Sequence, residues 1–314
     1  MALETEHGVK PLSAVIRPTT FVQSPRLNER TKLDITIAAE TFQVTGSFKF
    51  RAAYNLASHV SQSRIITASS GNFGQALAYA CKLLGKEAIV VMPHNSAQTK
   101  VEAVREYGGI VELVNTATKS RAARVAELGA QFPDAYVASA YDDDLVIEGN
   151  ASLGREIAGA PFNFDCVLTP VGGGGLAAGI IVGMRDSGKK HVPIFGVEPA
   201  MANDASRSMK LGRIVENESE PQTIADGVRT VSLGSHNWHH IQTGLTDILE
   251  VSEDSISEAV GVLFALANLK VEPTGAITVA ALLSAPERFA GKKICCVASG
   301  GNVDNKVILN ILQQ

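Results

Sequence analysis

The sequence predicts an α/β fold built as two lobes, each an open and mostly parallel twisted sheet flanked by helices. Three observations carry that prediction. Short β-branched runs alternate with longer helical patterns along the chain. Several of those runs pass into helices through polar, glycine-bearing turns, the places where open α/β sheets hold ligands. The acidic turn Asp142-Asp143-Asp144 marks where one group of strand–helix units gives way to another.

The expected strands are residues 35–39, 64–68, 88–92, 110–114, 166–169, 194–197, 248–251 and 294–298. Helical patterns fill the gaps. In 47–60, Phe48, Ala52, Leu56 and Val60 recur at i, i+4, and Ser47 stands where a cap belongs. Further helices are expected over 73–84, 145–158 and 176–184. The helix expected over 253–269 has Ser252 as its cap and acids in its first turn. Residues 64–143 are assigned to a small, substrate-binding lobe, and 1–63 with 144–314 to a large, cofactor-binding lobe. No internal repeat or low-complexity linker interrupts this order.

Composition narrows the function classes. The 314 residues are 45% hydrophobic and 19% charged, enough to bury a sizeable core and too apolar for a disordered chain. With 28 Lys+Arg against 32 Asp+Glu, no basic excess exists to neutralise a nucleic-acid backbone. Residues 1–7 carry Glu4 and Glu6 and no apolar core of a secretory signal. The uncharged stretch 166–184 contains Pro170 and four consecutive glycines, so it reads as strand, loop and helix and not as a membrane span. Four cysteines without disulfide or zinc spacing fit buried thiols in a reducing compartment; Cys295 and Cys296, adjacent in a strand, should face opposite ways. A cytoplasmic protein is expected.

Four segments carry chemistry. The first is Thr45-Gly46-Ser47-Phe48-Lys49-Phe50-Arg51, which sets Lys49 in the first turn of a helix. The positive end of the helix dipole disfavours an ammonium there, and a neutral amine is what Schiff-base chemistry needs. For a lone lysine, an ordinary solvated side chain is the commoner reading. The second, Ser69-Ser70-Gly71-Asn72-Phe73-Gly74-Gln75, offers the backbone amides of a helix start to a carboxylate, or else is a capped strand-to-helix turn. The third is Val171-Gly172-Gly173-Gly174-Gly175-Leu176, whose amides could converge on a phosphate. Gly172, Gly174 and Ala177 also satisfy G-x-G-x-x-A, with Glu198 closing the next strand, so this fragment alone admits a nicotinamide dehydrogenase. The fourth is Ser299-Gly300-Gly301-Asn302, where a hydroxyl at a strand end can meet a ring nitrogen, or simply turn the chain.

Taken in this order, the four segments resemble the fold-type II pyridoxal-phosphate enzymes, the tryptophan synthase β/cysteine synthase family. They are most similar to its serine/threonine dehydratase and serine racemase branch. Residues 46–51 are the most specific part; 196–199, 225–229 and 272–276 add to the resemblance, which spans about 12–302. It implies that Lys49 binds pyridoxal phosphate covalently, is released by the substrate amine and then takes the α-proton. It implies that Gly172, Gly173, Gly174, Gly175 and Leu176 bind the phosphate, that Asn72 contacts the ring hydroxyl, that Phe48 lies against the ring and that Ser299 bonds the pyridine nitrogen. The amides of Ser69, Ser70, Gly71, Asn72 and Phe73 would receive the substrate carboxylate.

The implied activity is an ammonia-lyase that converts L-threonine or L-serine to a 2-oxoacid and ammonia, with a serine hydroxyl at the ring nitrogen favouring β-elimination. Ser70 matches the serine that reprotonates the opposite face of Cα in racemases of the branch, so racemisation is an alternative. Glu198, Ala202 and Asp204 keep the spacing at which the branch binds Mg²⁺ or Ca²⁺; two surface acids are the plainer reading. Three positions depart from the pattern: Phe73 replaces a histidine, Ala52 a glycine and Asn150 a glutamine. Phe73, beside the implied carboxylate site, opens the substrate to 3-hydroxyaspartate. A dehydrogenase and a non-catalytic binding protein are the readings from other classes. A homodimer, a catabolic role and no appended effector domain complete the expectations, and His236, His239 and His240 are expected in a solvated loop around Trp238.

Overall fold

The computed structural model describes residues 9–69 and 71–313; Ser70 lies outside the described residues. The chain opens with strand β1 (Thr20–Gln23), helix α1 (Pro25–Thr31), capped by the Ser24 hydroxyl, and strand β2 (Asp34–Ala39). Helix α2 (Lys49–His59) follows. Four strands alternate with helices next: β3 (Arg64–Ala68), α3 (Asn72–Leu83), β4 (Glu87–Pro93), α4 (Gln98–Glu106), β5 (Ile110–Val114), α5 (Arg121–Gln131) and β6 (Tyr136–Ala138). Then come α6 (Asp144–Ala158), β7 (Cys166–Pro170), α7 (Gly175–Asp186), β8 (Ile194–Pro199), α8 (Asp204–Leu211) and α9 (Ser235–Gly244). The chain closes with β9 (Asp247–Val251), α10 (Glu253–Ala267), α11 (Pro273–Ser284), β10 (Lys293–Ala298) and α12 (Asn305–Leu312).

Two sheets result. One has six strands in the order β1-β2-β10-β7-β8-β9, parallel except for the β1–β2 pair; the other is the parallel set β5-β4-β3-β6. Parallel strands covered on both faces explain the near-continuous apolar runs. Within β10, Cys296 packs into the core beneath α10 and α11, and Cys295 into the opposite core beneath α7 and α9, as alternation requires. All four cysteines are buried and free. Among the described residues no helix is long and apolar enough to cross a membrane, and 166–184 divides into β7, a glycine loop and α7.

Helix α2 joins the two sheets. Its apolar face, with Phe50, Ala53, Leu56 and Ala57, packs into the same core as α3 and β4. Its other anchor is Arg51, fully buried, whose guanidinium donates to both oxygens of Glu40 (2.7 and 2.9 Å) and both of Glu156 (2.9 Å each). A buried cation needs such pairing to be tolerated.

Three expectations are corrected. Ser47 does not cap α2; the helix starts at Lys49 after Phe48, without a side-chain cap, because Ser47 is taken up in a backbone bridge to Gly300. The histidines lie on helix α9, not in a loop: its first turn is capped by the distant Asp142 carboxylate, which accepts from the amides of Ser235 (3.0 Å) and His236 (2.9 Å). Finally, β1 and β6 are additional short strands, too brief to show alternation.

Candidate active site

The implied cofactor-binding residues lie at the carboxyl ends of β10 and β7 and at the starts of α2, α3 and α7. Backbone pairing draws the first and fourth segments together. Ser47 bridges Gly300, the Phe48 N–H donates to the Ser299 carbonyl at 3.0 Å, and the Gly301 N–H donates to the Gly46 carbonyl at 2.9 Å. Lys49 is thereby set beside the end of β10. Its Nζ donates to the Ala140 carbonyl at 2.7 Å and lies 5.1 Å from the Phe48 ring centroid and 5.6 Å from that of Phe73. Desolvation lowers the amine to about 8, against a smaller opposing pull from Glu272. The neutral form is therefore within reach at ordinary pH.

Asn72 opens α3 and is held from both sides. Its Nδ2 donates to Oε1 of Glu272 at 2.8 Å, and its Oδ1 accepts from Nδ2 of Asn302 at 2.8 Å. Glu272, just before Pro273 at the start of α11, is buried. Burial raises its carboxyl to about 8, with the charge of Asp226 adding to the effect. Burial thus makes this carboxyl resist ionisation.

After β7 the chain turns through Gly172 to Gly175, with Gly174 at φ +96°, and enters α7 with Leu176 buried in the first turn. The turn is crowded from outside: a Cβ on Gly173 would stand 2.2 Å from the Tyr141 ring. The Tyr141 loop thus touches the glycine turn through Tyr141 and Lys49 through the preceding Ala140.

These residues fit a pyridoxal phosphate group. The Ser299 hydroxyl is buried with no hydrogen-bond partner, an orphan that a ring nitrogen would satisfy. A near-neutral amine, a glycine turn entering a helix N-terminus and an amide at Asn72 are the donor set the group requires. At the implied carboxylate site, the Ser69 hydroxyl folds back to accept from the amides of Gly74 (3.1 Å) and Gly71 (3.4 Å), and Phe73 is buried in the core against α2.

The implied metal ligands lie after β8. Glu198 accepts from the amides of Ser206 (2.7 Å) and Ala205 (3.2 Å), while Asp204 Oδ1 accepts from Asn217 at 2.9 Å and its Oδ2 is buried without a partner. Burial raises Glu198 to about 9 and Asp204 to about 7. Among the described residues no group of three His, Cys, Asp or Glu is arranged to hold a metal; this set has two carboxylates and the Ala202 residue between them.

Sequence reasoning assigns no role to Tyr141, Ala140 or Asn302, and notes Glu272 only within a motif. Their importance comes from contacts across the cleft, which local spacing does not reveal. The Glu272-Pro273 helix start is the one available signal.

Comparison with known proteins agrees with this geometry. Residues 12–300 match the family described as "Pyridoxal-phosphate dependent enzyme". The L-threo-3-hydroxyaspartate ammonia-lyase of Saccharomyces cerevisiae is 36% identical, covering 93% of this chain and 90% of the relative. Human serine racemase is 34% identical, covering 92% and 87%. The solved structure of maize serine racemase superposes with a TM-score of 0.90 at 27% identity, covering 96% of this chain and 93% of that one. The chain belongs to the pyridoxal-phosphate dependent enzymes.

Proposed function

We propose that this protein is an ammonia-lyase that removes the β-hydroxyl and the amine of a β-hydroxy amino acid, releasing a 2-oxoacid. The observation that carries the reading is Lys49: a desolvated amine lowered to about 8, held by the Ala140 carbonyl at the same site as an unpartnered Ser299 hydroxyl. When bound, pyridoxal phosphate supplies the electron sink for bond cleavage at Cα. Lys49 takes the α-proton, its pKa placing it near the optimum for a general base. Ser299 donates to or accepts from the ring nitrogen without the charge a carboxylate would bring. Asn72, locked by Glu272 and Asn302, presents its remaining N–H toward the ring hydroxyl. The α3 amides hold the substrate carboxylate.

Serine and threonine are the substrates the motifs imply. Relatives named as 3-hydroxyaspartate dehydratases or ammonia-lyases favour that dicarboxylic substrate as the second reading. The racemase reading depends on Ser70. Glu198, Ala202 and Asp204 are proposed as a Mg²⁺ or Ca²⁺ site, supported by the orphaned Asp204 oxygen.

A panel of serine, threonine and 3-hydroxyaspartate stereoisomers, scored for 2-oxoacid release and for inversion, tests the proposal. Release from at least one L-hydroxy amino acid is expected. Inversion without release from every member would replace the lyase by a racemase, and neither activity would overturn both.

A further inference from the structure

The reading of Gly172 to Leu176 as a phosphate loop leaves two buried asparagines without a role. A loop that binds an anion must aim its N–H groups at the anion, so its carbonyls need partners elsewhere. An unpaired buried carbonyl is costly. The Gly173 carbonyl and the Gly175 carbonyl that opens α7 each receive a side-chain amide. Asn237 Nδ2 donates to the Gly173 carbonyl at 2.7 Å, and Asn150 Nδ2 donates to the Gly175 carbonyl at 3.0 Å. The Gly234 N–H donates to the same Gly173 carbonyl at 3.0 Å, so that oxygen is held from two directions. Both asparagines are fully buried, and they come from different helices, α9 and α6, that border α7. Asn237 also donates to the Tyr141 carbonyl at 3.0 Å, tying the glycine turn to the loop that Lys49 touches.

The chemistry of the amide explains the choice of residue. A carbonyl can only accept, so the nitrogen end of each asparagine must face it. Each Oδ1 is then left buried without a partner. An aspartate of the same shape would set an oxygen against the carbonyl and a negative charge beside an anion site. Close packing admits no slack here: a Cβ on Gly179 of α7 would stand 2.4 Å from the Asn150 Cβ.

We propose that Asn150 and Asn237 are positioning residues for the cofactor phosphate: by holding the Gly173 and Gly175 carbonyls they keep the turn's amides directed at the anion. Asn150, a departure from the family pattern, thereby acquires a function. The proposal rests on the pyridoxal-phosphate reading of the loop.

The test compares two ligands on the apoprotein, pyridoxal phosphate and pyridoxal, by quenching of the single tryptophan, Trp238. The wild type should prefer the phosphorylated ligand. Asn150→Asp and Asn237→Asp should each weaken pyridoxal phosphate binding by about tenfold to a hundredfold while leaving pyridoxal affinity in place. Equal weakening of both ligands would assign the asparagines to general packing and overturn the proposal, as would unchanged pyridoxal phosphate affinity. If the aspartate variants do not fold, Asn150→Ala and Asn237→Ala provide the same comparison with a smaller selective loss. A wild type that does not prefer pyridoxal phosphate would overturn the loop reading itself, and is recognised before any variant is made.

Discussion

Oε1 of Glu272 accepts a hydrogen bond from Asn72 Nδ2 at 2.8 Å, inside a pocket that raises the carboxyl to about 8. In the unfolded chain this carboxyl ionises near 4.5. The folded apoprotein therefore keeps a proton that the unfolded chain has lost, and its stability falls as pH rises from about 4.5 to about 8. Glu272→Gln removes that dependence. Thermal melts of the apoprotein from pH 5 to 9 should be flatter for Glu272→Gln, with the variant gaining on the wild type at alkaline pH. Parallel curves would show that Glu272 is ionised throughout.

Lys49 gives a kinetic prediction. Only its free amine can attack the cofactor aldehyde, and its pKa is about 8 in place of 10.5. The rate at which apoprotein takes up pyridoxal phosphate should climb with pH and level off above about 8. A rate still climbing at pH 10 would show a solvated lysine.

Gly173 faces the Tyr141 ring so closely that a methyl group cannot be added without displacement. Gly173→Ala should lower stability by about 1–3 kcal/mol, the usual cost of overpacking, and weaken cofactor binding. Tyr141→Ala, combined with it, should restore much of the lost stability. Denaturant titration of the single and double variants checks this, and strict additivity would contradict the contact.

Glu198 and Asp204 together resist ionisation, their carboxyls raised to about 9 and about 7. Stability of the metal-free protein should therefore decline as pH rises through the range between their ordinary and raised values. A bound divalent cation would stabilise the ionised carboxylates against that burial. Added Mg²⁺ or Ca²⁺ should raise Tm more at pH 8.5 than at pH 6, and Asp204→Asn should abolish the difference. No shift with either ion at any pH removes the metal from the account.

How much of this was readable in the sequence depends on where each partner lies. The placement of Lys49, the glycine turn and Ser299 at helix starts and a strand end was legible because each sits in a short motif beside a strand or helix pattern. The parallel strands were legible because both faces are buried, which leaves unbroken apolar runs. Helix α9 was not, because its cap is Asp142, far away in the chain. Ser47 looked like a cap because capping chemistry is local, but a bridge to Gly300 outweighs it. The raised carboxyl of Glu272 follows from burial among α11, Asn72 and Asp226, and burial of that kind has no local signature.

The central claim is that Lys49 carries the cofactor. Borohydride reduction of the purified yellow holoenzyme, followed by peptide mass mapping, tests it most directly. The account predicts a pyridoxyl group fixed on Lys49 and an absorbance band that disappears on reduction. A label on another lysine, or a colourless protein that binds NADH, would contradict it.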